Sequence, residues 1–562
     1  MFFLLGSFVP LVILGAIVFV IVKAVTNRSE RRTVESAPLA IKRVLLFGSL
    51  YAALHVAAWG VAGLLALIND TGIARGERAA EPLAMAIVAV PIVFLLGRWV
   101  WRGLAEASQR DAAFSLYVSA TAVTALIVLI VSTISVGDWL FSDGSFSAPS
   151  VASLAVWAPI WAVHWWLWKR YEREVSNVHV FAGSAVSLVG LAAYGGLLFD
   201  SALRGLFDSF TDVTVTTARS DEVSSWLVGL VVMGVVYVGH WLLTGLREKR
   251  DLLWHSYVVL AGVLGGLIVA VTGAGILAYG VLEWLFGDPD FSSAVEHFEQ
   301  FLPAVTTLVV GLVVWLYHRA VLGPAAGPRT EVQRVYDYVV AAVGLVTTIV
   351  GVTILLVGFQ EALFPPRDSM ASEVNALLGA LTALAVGLPL WGQAWRRISS
   401  HLESDPTEIS SPTRRSFLFG LVGIGGAVTA VSLLIMLVVV FDATLGDGGD
   451  LLREDIQIPL ALVLAVGSVV VYHFLVLRED QESEPKRPAE PKKLVLVTAD
   501  DAFARAVEEL TGARVRVLHR LDSNGEAADA AAVASAVAAS EHDDLLVVPG
   551  PAGSVQVIPY RR

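Results

Sequence analysis

A short aromatic and histidine motif recurs along the chain at nearly constant spacing, each time near the end of an apolar stretch. It begins with an aromatic residue at positions 161, 237, 315 and 391, so the steps are 76, 78 and 76 residues. A fixed period of this size indicates stacked copies of one supersecondary unit. The copies read Trp161-x-x-His164-Trp165, Tyr237-x-x-His240-Trp241, Trp315-x-x-His318 and Trp391-x-x-Ala394-Trp395.

A second motif has similar spacing and lies where one apolar stretch gives way to the next. It is a charged residue, one variable residue and then Leu-Phe, and we call it the turn marker. Because it falls between two apolar stretches, it marks the place where the chain turns back. The markers occupy residues 138–141, 204–207, 283–286 and 361–364.

The composition places the chain in a membrane. Apolar residues make up 56% and charged residues 16% of the 562 positions, and the mean hydropathy is +0.69. A water-soluble protein of this length is far less apolar. The absence of cysteine excludes disulfides, thiolate metal sites and thiol catalysis. The net charge of −12 argues against a nucleic-acid partner, so the expected surrounding is the lipid bilayer.

Thirteen apolar stretches are long enough, at roughly 20 residues each, to cross a bilayer as helices. The first has no basic residue before it and no small-residue cleavage site after it, which favours an uncleaved anchor. The other twelve combine with the repeat into six tandem hairpins. The stretches lie near 2–25, 42–68, 80–101, 113–137, 150–168, 178–200, 222–244, 254–282, 302–322, 335–360, 373–395, 416–441 and 456–477.

The distribution of basic residues predicts the orientation. Connections after odd-numbered stretches carry 21 lysines and arginines, whereas those after even-numbered stretches carry six. Basic loops stay on the cytoplasmic side. We therefore expect the N-terminus outside, the C-terminus in the cytoplasm and the protein in the cell (inner) membrane. The six residues on the other side are Arg75, Arg78, Arg204, Arg219, Arg367 and Arg453.

The sequence changes character after the last apolar stretch. Residues 478–492 form a charged, proline-bearing linker, and strands alternate with helices over residues 493–562. This pattern predicts a small parallel α/β domain. Ligands of such folds bind beyond the strand carboxyl ends, here at Thr498, Asp500, Asp501 and the turn at 549–553. No phosphate-binding motif follows either strand, and the two aspartates suit a helix cap better than a metal.

The predicted organisation is an all-α polytopic membrane protein with a small C-terminal α/β domain. Residues 1–40 form an anchor helix and a basic loop, 41–477 the six hairpins, 478–492 the linker and 493–562 the cytoplasmic domain.

Histidine is the one chemically distinctive residue type within the apolar stretches. The two histidines that flank a loop are 15 residues apart in the sequence, in two equivalent loops. Two imidazoles at one depth in the membrane could ligate a haem iron. The pairing does not recur at His318, and aromatic rings at this depth are typical of the interfacial belt. A histidine in the middle of an apolar stretch needs a polar partner. The candidate cofactor-binding residues are His55, His164, His179, His240 and His255.

No catalytic constellation accompanies these histidines, so we expect no enzyme, no metal and no haem or other cofactor. The hypothesis we favour is a non-enzymatic scaffold, accessory subunit or sensor, with a membrane or cytoplasmic protein partner bound through residues 493–562. One alternative is a channel or carrier for a small neutral solute. The hairpins all begin on the same side, unlike the inverted repeats of many transporters. A weaker alternative is a redox subunit that binds haem or quinone.

The tandem hairpins with their aromatic and histidine endings resemble a group of uncharacterised bacterial and archaeal membrane proteins, a domain-of-unknown-function family built of two-helix transmembrane repeats. The resemblance covers most of residues 41–477 and rests on the repeated motifs. It departs at Leu96 and Ala394, which stand in histidine positions. The resemblance implies the fold and no activity.

Overall fold

The structure is a computed structural model of the whole chain. It describes residues 37–68, 75–104, 112–172, 175–211, 220–323, 329–363, 373–445, 455–483, 492–498, 500–519, 529–540, 542–549 and 554–560. The predicted anchor at 2–25 lies outside these residues. The chain divides into two compact units, residues 1–474 and residues 475–562.

Twelve helices among the described residues are long and apolar enough to cross a membrane. They pair in chain order into six hairpins, which confirms the predicted polytopic helical fold. We number the hairpins from the N-terminus and refer to the first and the second helix of each. The pairs are Ala37–Ala66 with Arg75–Gly103, Ala112–Phe141 with Ala148–Arg170, Val178–Phe210 with Ser220–Tyr237, Leu252–Phe286 with Leu302–Leu322, Glu331–Leu363 with Glu373–Ser404, and Pro412–Leu445 with Gln457–Ser483.

The hairpins stack through one repeated contact. The first helix of a hairpin packs against its own second helix and also against the second helix of the next hairpin, from hairpins 1 and 2 to hairpins 4 and 5. We call the interface between two successive hairpins a junction, for example junction 2/3, and we use the same name for the contacts between hairpins 5 and 6. The end of the bundle that holds the turn markers is the turn end, and the opposite end is the histidine end.

Glycine allows close approach within the hairpins at one recurring position. Gly266 lies against the backbone of Trp315, and Gly344 lies against the backbone of Trp391, so a Cβ at either glycine would collide with main-chain atoms. Between helices in lipid, such close backbone packing replaces the hydrophobic driving force. The two contacts place the leading aromatic residues of hairpins 4 and 5 in the same environment.

Several local elements were not predicted. The helices of hairpins 3 and 4 contain π-helical segments, Val238–Leu242 and Tyr257–Leu264, beside the repeated histidines. A short helix, Ala294–Glu299, precedes the second helix of hairpin 4. The last helix ends at Ser483 rather than near 477, and a salt bridge of 2.9 Å between Arg478 and Glu482 supports this additional turn.

The C-terminal unit contains a four-stranded sheet in the order β2-β1-β3-β4. Strand β4 pairs antiparallel with β3, so the prediction of a wholly parallel unit was wrong. Only residues 550–554 join these strands, and a parallel crossover needs a dozen or more residues. The strands are β1 Lys493–Thr498, β2 Arg514–His519, β3 Asp544–Pro549 and β4 Val555–Pro559.

Two helices of this unit, Asp501–Thr511 and Ala530–Ala538, share one apolar core with the sheet. Val507 and Val533 from the helices pack with Leu496 and Val547 from the central strands. Asp500 caps the first of these helices, because its carboxylate accepts a hydrogen bond of 2.8 Å from the amide of Ala502. Residues 550–553 of the predicted ligand-binding turn lie outside the described residues.

Candidate functional site at the histidine ends of the hairpins

Each repeated histidine is bonded to its own helix in the same way. Its Nδ1 lies within hydrogen-bond distance of the carbonyl oxygen four residues earlier. Because a carbonyl only accepts, Nδ1 carries the proton and Nε2 is left as the acceptor of a neutral ring. The Nδ1 to oxygen distances are His164–Ile160 2.7 Å, His240–Val236 3.1 Å, His318–Val314 2.8 Å and His473–Val469 2.8 Å.

Tyrosine hydroxyls of the first helix bind two of these acceptor nitrogens. The oxygen of Tyr117 lies 3.1 Å from Nε2 of His164, and that of Tyr257 lies 3.4 Å from Nε2 of His318. The histidine therefore joins the two helices of its hairpin. Sequence reasoning missed both tyrosines. The signal was present, because each follows an aromatic residue by three positions, as in Phe114-x-x-Tyr117.

The histidine rings are buried between helices. Side chains of an interfacial belt would be exposed instead. The exposed fractions are 4% for His164 and His240 and 0% for His318. The His240 ring lies directly on the backbone of Gly183, where a Cβ would collide with it. The His318 ring occupies the same place over Gly262. These rings fill the space between the helices, so no room for a ligand remains on those sides.

A second set of contacts joins one hairpin to the next at the histidine end. The tryptophan that follows the histidine position in one hairpin packs against the histidine of the following hairpin, and we call this the Trp–His pair. The ring centroids are 5.1 Å apart for Trp165 and His240, 6.1 Å for Trp241 and His318, and 5.3 Å for Trp395 and His473.

Hydrogen bonds strengthen two of these junctions. The indole nitrogen of Trp241 donates to the hydroxyl of Tyr317 at 2.9 Å, and that of Trp395 donates to the hydroxyl of Tyr472 at 3.0 Å. Each tyrosine directly precedes the histidine of its hairpin. An indole ring is apolar except for its N–H group. When that N–H is hydrogen-bonded, the side chain is well suited to a helix interface in lipid.

Junction 4/5 lacks both members of the pair. Arg319 stands where the tryptophan would be, and Ala394 stands where the histidine would be. The Arg319 guanidinium lies 5.9 Å from the ring centroids of both Trp315 and Tyr336. Ala394 is fully buried in an apolar cluster that includes Ile398. The replacements at Arg319 and Ala394 therefore belong to one interface.

The other candidate histidines have different surroundings. His179 is 1% exposed, and its ring packs against Trp165 and Trp168, so that Trp165 contacts both His179 and His240. His255 is partly exposed, packs on the ring of Trp254 and bonds the carbonyl of Asp251 at 2.7 Å. His240 and His255 thus occupy different environments, although the sequence spacing suggested a pair.

His55 lies in the first helix of hairpin 1. Its Nδ1 is 2.7 Å from the carbonyl oxygen of Tyr51, and its ring packs 5.3 Å from that of Trp157. Within the described residues, neither Nε2 of His55 nor the indole nitrogen of Trp157 has a hydrogen-bond partner. The bond to Tyr51 fixes the tautomer in the same way as in the repeated histidines.

The turn markers make a matching set of contacts at the other end of the bundle. The carboxylate of Asp138 accepts a hydrogen bond from Ser225 at 2.9 Å, across junction 2/3. Glu283 accepts one from Asn375 at 3.0 Å, across junction 4/5. The further contacts are Arg204 with Glu299 at 3.9 Å across junction 3/4, and Gln360 with the Gln457 carbonyl at 3.2 Å across junction 5/6.

A buried ion cluster lies between the links that join hairpins 4, 5 and 6. Glu408 binds Arg329 at 3.0 Å and Arg334 at 2.8 Å, and Arg329 also binds Asp337. Desolvation acts to raise the pKa of Glu408, but the hydrogen bonds and charges of the two arginines outweigh it, so that its pKa lies below the ordinary value. The sequence analysis weighed only the basic residues of these links, and Glu408 was not a candidate.

The described residues contain no group of three or more histidines, aspartates or glutamates arranged to hold a metal ion. They do contain a cavity of about 450 Å³ at the turn end, between the first helix of hairpin 2 and the second helix of hairpin 3. Its walls are mainly apolar and include Val136, Gly137, Val228 and Val231.

A family described as Domain of unknown function (DUF5671) matches residues 334–469, which span most of hairpins 5 and 6. No curated protein and no solved structure matches the chain. The matched region therefore covers most of the last two hairpins.

Proposed function

We propose that this polytopic membrane protein is a non-enzymatic scaffold, accessory subunit or sensor, with residues 493–562 as its cytoplasmic contact domain. The observation that supports this most is the use of buried polar side chains. Histidines and tyrosines join the helices of a hairpin, the Trp–His pairs join hairpins at one end, and the turn markers join them at the other. Polar groups that bind one another in this way hold helices together in lipid.

A native-membrane experiment tests this proposal. Membranes are solubilised gently, and the full chain is compared on native gels with a chain that ends at Ser483. We expect the full chain to migrate in a larger complex and the shortened chain to migrate as the bundle alone. Equal mobility, after correction for mass, would contradict a contact role for residues 493–562.

The orientation rests on the 21 basic residues on one side and six on the other. An alkaline-phosphatase fusion after Arg562 should be inactive, and one inserted after Asp288 at the turn end should be active. The reverse pattern would overturn the proposed topology.

The solute-pathway alternative is favoured by the cavity at junction 2/3. Val228 contributes to its wall, so Val228→Trp would block it. Val346→Trp is the matched control, because Val346 is exposed on hairpin 5. In proteoliposomes we expect glycerol permeability equal to that of protein-free vesicles. A higher permeability that Val228→Trp abolishes, and Val346→Trp does not, would replace the scaffold proposal with a channel.

The redox alternative requires imidazole nitrogens that are free to bind iron. Both nitrogens of His164 are hydrogen-bonded, and the His240 ring lies against Gly183. We expect the purified protein to be colourless. A Soret absorption band that is lost on mutating His240 and His255 together would make the redox function the leading one.

A further inference from the structure

The sheet of the C-terminal unit is covered by helices on one side. Side chains of a strand alternate between faces. In β1, Leu494 and Leu496 are buried under the helices, whereas Val495 and Val497 on the other face are partly exposed. Strand β3 repeats the pattern, and its register places Leu546 beside Val495. Within the C-terminal unit, both described helices pack on the first side, and we call the second side the open face.

The centre of the open face is apolar. Val548 continues the strip formed by Val495, Val497 and Leu546, and the neighbouring strands extend it with Leu518 and Ile558. Leu518 is 44% exposed and Ile558 is 37% exposed. An exposed apolar surface that crosses all four strands marks an interaction site more often than a solvated sheet.

Basic side chains lie along one edge of the open face. Arg514 and Arg516 in β2 are exposed and pair in register with Lys493 and Val495 of β1, so all four side chains share the open face. The acidic residue Asp544 lies opposite Lys493 in β3. Three basic residues and one acidic residue leave this face with a net positive charge.

The helical side of the same unit has the opposite charge. Asp501, Glu508 and Glu509 are exposed on the first helix together with Arg505, and the helix Ala530–Ala538 carries no charged residue. The unit is therefore polarised, with a basic and apolar face on one side and an acidic face on the other.

We propose that the open face docks on an anionic membrane surface. Apolar side chains beside arginines match a headgroup layer, and each basic residue near an anionic leaflet adds a modest electrostatic attraction. This attraction is weak for a free domain. Residues 484–491, however, tether the C-terminal domain to a transmembrane helix, and a segment of that length spans at most ~28 Å. The tether keeps the local lipid concentration high, so weak docking suffices.

A second copy of the chain fits the open face less well. Two open faces packed together would bring the arginines of both chains into one interface, and like charges there cost binding energy. The proposal rests on the contact-domain role of residues 493–562 and names the anionic bilayer as the surface that this domain contacts.

The absence of native cysteine allows single-site labelling of the full chain. Gln556→Cys places an environment-sensitive fluorophore on the open face, and Glu508→Cys places the same fluorophore on the helical side. The labelled chains are reconstituted into nanodiscs of phosphatidylcholine, with or without phosphatidylglycerol. We expect a blue shift and loss of iodide quenching at position 556 in anionic discs only, and no change at position 508.

The charge requirement is tested in the 556-labelled chain with Arg514→Gln and Arg516→Gln together. This variant should lose the blue shift in anionic discs, and the control Arg505→Gln should retain it. High salt should also reverse the shift, because it screens the surface charge. Circular dichroism and thermal unfolding of each variant establish that it is folded.

An equal signal in neutral and anionic discs, or no signal in either, overturns the proposal. A signal that depends on the number of chains per disc, and not on lipid charge, would assign the open face to a second copy and likewise overturn it. The native-gel comparison of the full and shortened chains does not depend on lipid charge, so the two proposals can fail separately.

Discussion

Junctions 2/3, 3/4 and 5/6 contain the Trp–His pair, whereas junction 4/5 contains Arg319 and Ala394 in its place. The hairpins stack at junction 4/5 nonetheless, through an apolar cluster around Ala394 and Ile398 and through the Glu283–Asn375 hydrogen bond. Both members are replaced at junction 4/5, although they belong to different hairpins. At junction 1/2, Gly97 stands in the tryptophan position, while His164 is kept and bonds Tyr117 of its own hairpin. The Trp–His pair therefore serves packing between hairpins, and the histidine also serves packing within its own hairpin.

Glu408 tests how far the buried ion cluster between the links of hairpins 4, 5 and 6 stabilises the bundle. Its side chain is 6% exposed and binds two arginines, so Glu408→Gln leaves buried charges with fewer partners. Breaking a buried ion pair costs about 3–5 kcal/mol. We expect this loss in the free energy of unfolding in detergent. Glu482→Gln, which breaks an exposed pair, is the control and should cost less than about 1 kcal/mol.

The same residue gives the bundle a pH dependence. Because the folded state lowers the pKa of Glu408, its contribution to stability is full above the ordinary carboxyl pKa and is lost as the pH falls through the lower, folded value. The wild-type melting temperature should fall in acid more than that of Glu408→Gln. Parallel curves for the two proteins would contradict the assignment.

Gly344→Ala tests the close contact within hairpins. The new Cβ would meet the backbone of Trp391, and overpacking of this kind costs about 1–3 kcal/mol. Gly420→Ala is the matched control, since no atom lies within 4 Å of a Cβ there. We expect thermal unfolding to separate the two variants clearly, and equal melting temperatures would show that the helices adjust without cost.

A double-mutant cycle measures the Trp–His pair itself. Replacing Trp395 and His473 by leucine, singly and together, should reveal a coupling energy of about 0.5–1.5 kcal/mol, because the rings are in contact. The same cycle on Trp395 and His318, which belong to different junctions, should give no coupling. Coupling in both cycles would mean that the variants disturb the whole bundle.

The smallest expected effect concerns the turn end. Ser225→Ala removes the hydrogen bond to Asp138 across junction 2/3 and should cost about 0.5–1 kcal/mol. Ser224→Ala is the adjacent control, because that hydroxyl bonds only the carbonyl of Ser220 in its own helix. If both serines contribute equally, the turn marker does not stabilise the junction.

The number of hairpins could be predicted from the sequence because length, apolarity and a fixed period are local properties. The contacts at the junctions could not be predicted in this way. That Trp165 meets His240 rather than His164 depends on which helices are neighbours in the stack, and spacing along one helix carries no such information. The same limit explains why His240 and His255 looked like a pair.

The direction of β4 and the end of the last helix were predicted poorly for other reasons. A short apolar strand looks the same in either direction, and only the length of the connection to β3 decides between them. The helix extends to Ser483 because one salt bridge favours another turn over a composition that is typical of a linker.

The stacking of the hairpins also implies an order of assembly during synthesis. Because the first helices of hairpins 1 to 4 complete their packing only against the second helix of the next hairpin, these hairpins are not fully packed when they leave the ribosome. At ~5–20 residues per second, synthesis of the following hairpin takes about 4–16 seconds. Asp138 and Glu283 can bind their partners across the junction only after that time.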